Sequence, residues 1–204
     1  MIAERDGADA RAHFDIARSW FVPALVAALI LLAALGGDAA RAAGRYERAA
    51  VLRGELWRLV TGHFVHLGWS HMLLNLAGLV LVWMLCANGL NGWRGVSALL
   101  ASIAAIDSGF LLFEPQLQWY VGFSGVLHGL FAAGIVAAVR ARESGAWILA
   151  AMLVGKLAFE QLVGPVPLTE RVAGGAVIES AHLYGALGGL LAGVLAMRMR
   201  APRL

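Results

Sequence analysis

A serine and a histidine each stand at the start of an apolar stretch of this chain. Ser124 lies in a GFSG stretch at 122–125, and His182 lies in an AHLYG stretch at 181–185. Polar side chains left unpaired in an apolar environment cost free energy, so both need a partner or a function. A serine hydroxyl becomes a nucleophile when a neutral imidazole accepts its proton. The two residues therefore predict nucleophilic catalysis, with Ser124 as the nucleophile and His182 as its base.

The composition places these residues in a membrane protein. The chain has 204 residues, of which 60% are hydrophobic and 14% charged, and its mean hydropathy is +0.75. Soluble domains carry about 25% charged residues. The net charge of +3 is small and no basic patch is interleaved with aromatic residues, so nucleic acid is not an expected partner. Cys86 is the single cysteine, which excludes an intrachain disulfide.

Apolar segments that approach the ~20 residues needed to cross a bilayer recur along the chain. They are 19–36, 71–88, 94–113, 123–140, 146–163 and 180–199. These segments predict an all-α, polytopic membrane protein. A cytoplasmic N-terminal segment over 1–18 is followed by one domain over 19–200, a bundle of six transmembrane helices. The polar lead-in is long for a signal peptide, so we expect the first segment to be retained.

The arginines of the short connections predict the orientation. Arg140, Arg142 and the C-terminal tail contrast with the loop 114–120, which has no Lys or Arg. Positive residues favour the cytoplasmic side, so both termini are expected there. The second, fourth and sixth segments then begin at the outer side. The unusual polar residues at that depth are His71, Asn75, Ser124 and His182.

Small residues at helical spacing predict close packing between the fourth and sixth segments, because they let helix backbones approach in lipid. These residues are Gly125 and Gly129 on the Ser124 face, and Gly185 and Gly189 on the His182 face. A seam lined by these glycines would place Ser124 beside His182. The alternatives are a Ser124 hydroxyl bonded to its own helix and a His182 that only packs or carries protons.

Acyl chemistry at a serine also needs donors for the tetrahedral oxyanion. The amide of Ser124 lies near a predicted helix N-terminus, where N–H groups lack intrahelical acceptors. His71 and Asn75 share one face of the second segment and can donate from their side chains. No Asp or Glu is placed to orient His182, so the sequence predicts a Ser–His dyad rather than a triad.

Three motifs, on the second, fourth and sixth segments, resemble those of rhomboid intramembrane serine proteases. GFSG at 122–125, AHLYG at 181–185 and HMLLN at 71–75 are similar to the family's GxSG, AHxxG and HxxxN. Trp57-Arg58 resembles the family's WR motif in the first loop, and the resemblance covers roughly residues 20 to 200. It implies a six-helix core, Ser124 as nucleophile, His182 as base, and an oxyanion site of the Ser124 amide, His71 and Asn75.

Within that family, GFSGVLHG at 122–129 and HLYG at 182–185 look most like the rhombosortase branch. This implies a bacterial inner-membrane enzyme whose active site faces the periplasm. Its substrates would be membrane-anchored proteins with a C-terminal Gly-Gly motif, an apolar helix and a basic tail. Many rhomboids carry an aromatic residue that packs on the catalytic imidazole at the position of His128. A histidine there leaves the stacking role open and adds an accessory donor or proton relay.

Lys156 and Glu160 are the charged residues inside the fifth segment, at i and i+4. Each alone in lipid would cost about 2.5–3.5 kcal/mol on insertion scales. One interpretation is a structural ion pair, or a Lys156 that extends to the interface. The other is an accessory role, in which both flank a lateral opening and meet the substrate backbone together with Gln161.

Histidines crowd the outer side, which makes a metal site the first alternative. They are His63, His66, His71, His128 and His182. The chain has no HExxH pair, and no carboxylate lies in the outer turns of the histidine-bearing segments, so we expect neither a metal nor another cofactor. His66 is expected to bond backbone and fix the first loop.

Two further function classes stay open on the sequence. A catalytically inactive rhomboid-like protein would hold membrane clients, although loss of Ser124 or His182 would be its mark. A small transporter would use the histidines as a proton relay, although neither repeats nor broken spans are evident. The connection 164–179 is either a mobile cap over the site or a passive link.

Overall fold

The structure, a computed structural model, describes residues 20–198, without the side chains of the last two. The predicted cytoplasmic segment 1–18 and the end of the basic tail lie outside the described residues. Helices make up almost all of the regular structure, as predicted. In chain order the elements are α1 (Trp20–Leu35), α2 (Gly37–Gly44), β1 (Tyr46–Glu47), α3 (Arg48–Leu52), α4 (Arg58–Thr61), α5 (Trp69–Leu90), α6 (Trp93–Phe113), β2 (Trp119–Tyr120), α7 (Ser124–Arg140), α8 (Ala146–Leu162), α9 (Thr169–Ala173) and α10 (Glu179–Arg198).

Each predicted segment corresponds to one of the long helices, which are α1, α5, α6, α7, α8 and α10. By length and hydropathy, α5 and α6 can cross a membrane. The pair α1 and α2, bent by 113°, adds a third crossing if it forms one broken span. Helix α7 is apolar but has 17 residues, and α8 has the same length and carries two charged residues. The chain is therefore a multi-pass membrane protein, and the count of six spans stays a prediction.

Helix α7 lies at the centre of the bundle and packs against α5, α6 and α10. Ten of its 17 residues are buried. The predicted glycine seam between α7 and α10 is confirmed. A Cβ added at Gly185 would collide with the Gly125 carbonyl, and one added at Gly189 would collide with the Gly129 carbonyl. The two backbones approach this closely because neither helix carries a side chain there.

The long first connection is folded rather than extended. Its strand β1 pairs antiparallel with β2, with Tyr46 opposite Tyr120. Arg48 donates from its guanidinium to the carbonyls of Phe110 and Leu111, at 2.9 and 3.0 Å. Both carbonyls lie in the last turn of α6, where a cation is favourable. The Phe110 carbonyl also accepts the Glu114 amide at 3.3 Å. The connection therefore fixes the end of α6 and the strand that leads into α7.

Arg58 of the sequence pair Trp57-Arg58 ties the same connection together. Its guanidinium donates to the carbonyls of Ala42 and Arg45, at 3.0 and 2.9 Å, and to the Glu55 carboxylate at 2.7 Å. Only a planar, many-donor group can reach three acceptors in this way. Arg58 thus ties the end of α2 to the segment that leads into α4.

Candidate active site

The turn before α7 sets the position of Ser124. Gly122 has φ +121°, a conformation that residues with a Cβ rarely adopt. A Cβ at this position would also lie 2.7 Å from Cε1 of His71. The Gly122 amide donates to the Gly62 carbonyl at 3.0 Å, and the Tyr120 hydroxyl donates to the Gly122 carbonyl at 2.7 Å. Glycine is therefore required here by both conformation and space.

Ser124 and His182 meet across the glycine seam. Ser124 Oγ lies 3.0 Å from His182 Nε2, which is hydrogen-bond distance. His182 is buried, with 5% of its surface exposed, and Ser124 is half-buried at the first position of α7. The contact joins residues that are 58 positions apart in the chain. Its geometry suits proton transfer from the hydroxyl to the imidazole.

The expectation that no carboxylate is placed to orient His182 is wrong. Glu160 of α8 lies with Oε2 2.9 Å from His182 Nδ1, on the ring edge opposite Ser124. The Glu160 side chain is 2% exposed. The sequence shows Glu160 as the partner of Lys156 on its own helix, and it does not show which face of α8 turns toward α10. The contact depends on helix packing, which is why sequence reasoning missed it.

The ion pair between Lys156 and Glu160 is confirmed. Lys156 Nζ lies 2.6 Å from Glu160 Oε1, so the two carboxylate oxygens serve different partners. The Lys156 side chain is 36% exposed, whereas that of Glu160 is buried. Gln161, the third residue of the predicted substrate-facing group, donates to the Glu179 carbonyl at 3.2 Å. Contact of these residues with a substrate stays a prediction.

His128 packs on the face of the His182 ring. The two ring centroids are 4.2 Å apart and the planes differ by 20°, so the imidazoles are stacked. His128 Nδ1 lies 2.7 Å from the Ser124 carbonyl. Because a carbonyl only accepts, Nδ1 carries the proton. The histidine therefore keeps the stacking that an aromatic residue would provide and also bonds the first turn of α7.

His71 and Asn75 reach the site in different ways. The Leu67 amide donates to His71 Nδ1 at 3.4 Å, which leaves the ring proton on Nε2. His71 Nε2 faces Gly122, since a Cβ there would lie 2.9 Å from it. The side-chain amide of Asn75 donates to the His71 carbonyl at 2.9 Å, within its own helix. The Nε2–H of His71 thus lies beside Gly122, two residues before Ser124, whereas Asn75 is engaged with backbone.

Two further histidines lie in the connection between α4 and α5. His66 Nδ1 lies 3.2 Å from the Phe64 carbonyl, which confirms the expected backbone bond. Burial lowers the pKa of His66 to about 3, and the neighbouring His71 ring adds to that shift while the Phe64 carbonyl opposes it. His63 lies 3.4 Å from Asp107 of α6, and both are buried. Asp107 was not predicted from the sequence. Its signal was a single carboxylate inside an otherwise apolar segment.

One group of residues has the composition of a metal site. His128, Glu160 and His182 each offer a ligand atom, and these atoms lie within 4.8 Å of one another. The sequence argument against a metal considered only the histidine-bearing segments, whereas the carboxylate of this group comes from α8, which carries no histidine. Two features still oppose a cation. Both ring nitrogens of His182 are at hydrogen-bond distance from partners, and the Lys156 ammonium already contacts Glu160.

Comparisons with known proteins agree with the geometry. The family model for the rhomboid domain matches residues 53–199, which include every predicted site residue. The protein named "Putative rhomboid protease YdcA" of Bacillus subtilis (strain 168) is 27% identical over 153 residues, covering 75% of this chain and 73% of that protein. "Rhomboid-like protease 5" of Toxoplasma gondii is 33% identical over 153 residues, covering 71% of this chain but 17% of that protein. The matching part is thus a small fraction of the Toxoplasma relative.

Proposed function

This chain belongs to the rhomboid family, and we propose that it is an intramembrane serine endopeptidase. Ser124 is the nucleophile and His182 is the general base. The observation that carries the proposal is the 3.0 Å contact between Ser124 Oγ and His182 Nε2, made across two helices that pack through glycine. The family and the named relatives support a protease acting on membrane proteins.

The reaction follows from the positions of the two side chains. His182 Nε2 accepts the hydroxyl proton as Ser124 Oγ attacks the scissile carbonyl carbon. The carbonyl π electrons move to oxygen and form the oxyanion. When the C–N bond breaks, the proton on Nε2 passes to the leaving amine and the acyl group stays on Ser124. Water then attacks the ester with His182 again as base, which releases the carboxylate product and restores the hydroxyl.

The oxyanion site is proposed to consist of the Ser124 amide, His71 and Asn75. The Ser124 N–H is at the first position of α7, and His71 carries its proton on the nitrogen that faces Gly122. Asn75 joins only after its amide turns away from the His71 carbonyl. Removing one such donor from a protease typically costs about 2.7–4 kcal/mol of transition-state stabilisation.

The finer proposal concerns substrate and location. We propose a rhombosortase-like enzyme of the bacterial inner membrane, with a cytoplasmic N-terminus and an active site toward the periplasm. It would cleave C-terminal anchors that carry Gly-Gly before an apolar helix and a basic tail. The support is the likeness of the stretches at 122–129 and 182–185, together with the arginine bias of the connections. Glycine at the cut site would ease local unwinding of the substrate helix, which attack on an extended backbone requires.

A catalytically inactive client-binding protein is the main alternative. It would not need a serine at hydrogen-bond distance from a histidine, and that contact is present. The metal-ligand geometry of His128, Glu160 and His182 favours a second alternative, a metal-dependent hydrolase. Activity that survives exhaustive treatment with a chelator excludes this alternative.

The proposal is tested by cleavage of a membrane-anchored reporter reconstituted with the enzyme in liposomes. The reporter ends in Gly-Gly, an apolar helix and an arginine tail, and its matched control replaces Gly-Gly by Leu-Leu. We expect a single new carboxyl terminus, identified by mass spectrometry, with the intact enzyme and none with Ser124→Ala or His182→Ala. Cleavage that survives Ser124→Ala contradicts the protease assignment, and equal cleavage of both reporters contradicts only the substrate class.

A further inference from the structure

We infer that Glu160 is a positioning residue for His182 and that Lys156 holds the Glu160 carboxylate in place, so that the site works as a Ser–His–Glu chain. The inference rests on the proposed function. It concerns a residue on a third helix, which neither the dyad nor the ion-pair interpretation placed in the catalytic machinery.

The first step is the row of contacts. Lys156 Nζ to Glu160 Oε1 is 2.6 Å, Glu160 Oε2 to His182 Nδ1 is 2.9 Å, and His182 Nε2 to Ser124 Oγ is 3.0 Å. The row begins on α8, passes through α10 and ends on α7. Each nitrogen and oxygen atom in these three contacts has one partner in the row, so no two side chains compete for the same atom.

The second step is the tautomer. An ionised carboxylate only accepts hydrogen bonds, so Glu160 requires the proton of neutral His182 to be on Nδ1. The lone pair is then on Nε2, where it faces the Ser124 hydroxyl. In the other tautomer Nε2 carries hydrogen and cannot accept the serine proton. Glu160 also stabilises the imidazolium that forms during the reaction, as the carboxylate does in serine protease triads.

The third step is the ionisation of Glu160 itself. A carboxylate with 2% exposure would favour its neutral form without a cation nearby. Lys156 supplies that charge, and its 36% exposure lets the ammonium stay partly hydrated. It also occupies the second carboxylate oxygen, which restrains rotation of the group. The stacked ring of His128 restrains His182 from the side, so the imidazole is fixed on its edge and on its face.

A merely structural role is the competing explanation. Glu160 and Lys156 would then fasten α8 to the bundle, and their loss would lower stability without changing the base. A suitable experiment therefore measures the His182 tautomer and the chemical step separately from folding.

The variants are Glu160→Gln, Lys156→Met and the double variant, all made in the full chain, with Glu143→Gln as the matched control. Glu143 is exposed in the connection between α7 and α8 and lies outside the site. In Glu160→Gln, the new side chain would face Lys156 with its amide oxygen and His182 with its NH₂ group, which favours the wrong tautomer. In the double variant the ammonium is gone, and the amide oxygen is free to turn to Nδ1.

We expect Glu160→Gln to lower kcat on the order of 10³-fold with KM changed by less than about threefold. Histidine-selective ¹⁵N NMR in micelles should show the proton on Nδ1 of His182 in the intact protein and on Nε2 in this variant. The double variant should recover about tenfold of the lost rate. Glu143→Gln should match the intact protein in every measurement.

Three results would overturn the inference. They are a Glu160→Gln variant with unchanged kcat, an unchanged His182 tautomer, or a double variant slower than the single one. If Glu160→Gln does not fold, the double variant is measured instead. A double variant that carries the His182 proton on Nε2 and still has the kcat of the intact protein overturns the inference. Ser124→Ala distinguishes failure of the proposed function from failure of this inference. If Ser124→Ala stays active, the proposed function fails. If Ser124→Ala is inactive and Glu160→Gln is fully active, only the role of Glu160 is removed.

Discussion

Helix α10, which also packs against α6, contacts α7 and α8 in opposite ways. Against α7 it packs backbone to backbone, because Gly185 and Gly189 lie on the carbonyls of Gly125 and Gly129. Against α8 it makes a side-chain contact through the buried Glu160. Ten of the 17 residues of α7 are buried, whereas only Ala146, Leu153 and Glu160 are buried on α8.

The difference separates two requirements of the site. The distance from Ser124 to His182 is fixed by backbones that cannot approach further, so it tolerates almost no added atom. The orientation of the His182 ring depends on side chains that can change rotamer. We therefore expect damage to the α7 contact to abolish the site outright and damage to the α8 contact to be graded.

The largest effect should come from adding one methyl group to the glycine seam. Gly185→Ala places Cβ against the Gly125 carbonyl, so α7 and α10 must separate and Ser124 must leave His182. Overpacking of this kind typically costs about 1–3 kcal/mol or more. Because it also moves Ser124 away from its base, we expect a loss of activity larger than the ~10³-fold expected for Glu160→Gln. Reporter cleavage and thermal unfolding in detergent measure both effects.

Gly155→Ala is the matched control for this change. Apart from its chain neighbours and its own helix backbone, no described atom lies within 4 Å of a Cβ added at Gly155, which is exposed on α8. Alanine is the better helix former by about 1 kcal/mol, so this variant should be active and no less stable. Equal behaviour of the two alanine variants would contradict the distinction between the α7 and α8 contacts.

A smaller effect should appear when acid protonates the buried ring of His66 near the site. The pKa of His66 is about 3 when folded, against an ordinary value of 6.5. The folded state therefore binds fewer protons than the unfolded state, and stability present above pH 6.5 is lost as pH falls toward 3. At about 1.36 kcal/mol per pH unit, the loss between pH 7.5 and 5 is about 2 kcal/mol.

His66→Gln should remove this part of the pH dependence, because glutamine does not titrate. Equilibrium unfolding in mixed detergents at each pH, compared between the two proteins, isolates the contribution of His66 from that of the carboxylates common to both. If the free energy of unfolding changed equally with pH in the intact protein and in His66→Gln, His66 would not be protonated on unfolding.

Much of this architecture is predictable because its causes are local. Apolar segments gave the positions of the long helices, and glycine at helical spacing gave the partner of α7 and the meeting of Ser124 with His182. The role of Glu160 was hidden because a residue at i+4 from Lys156 already has a partner on its own helix. Only the rotation of α8 about its axis turns that carboxylate toward His182, and no residue pattern in the fifth segment specifies that rotation.

The fold of the first connection likewise could not be predicted from residue patterns alone. Arg48 and Arg58 stand far along the chain from some of the carbonyls they bond, and isolated strands of two residues carry no periodicity. The stacking of His128 on His182 depended on spatial proximity rather than residue type. In each case a contact between distant segments decided the geometry.

The central claim is that the His182 imidazole activates the Ser124 hydroxyl, and covalent labelling by a fluorophosphonate probe tests it most directly. The intact protein in detergent should form one adduct, located on Ser124 by peptide mass spectrometry, at a rate that falls on the order of 10³-fold or more in His182→Ala. Chelator should not change that rate. No adduct on correctly folded protein, or an adduct on Ser124 formed equally fast without His182, would contradict the account.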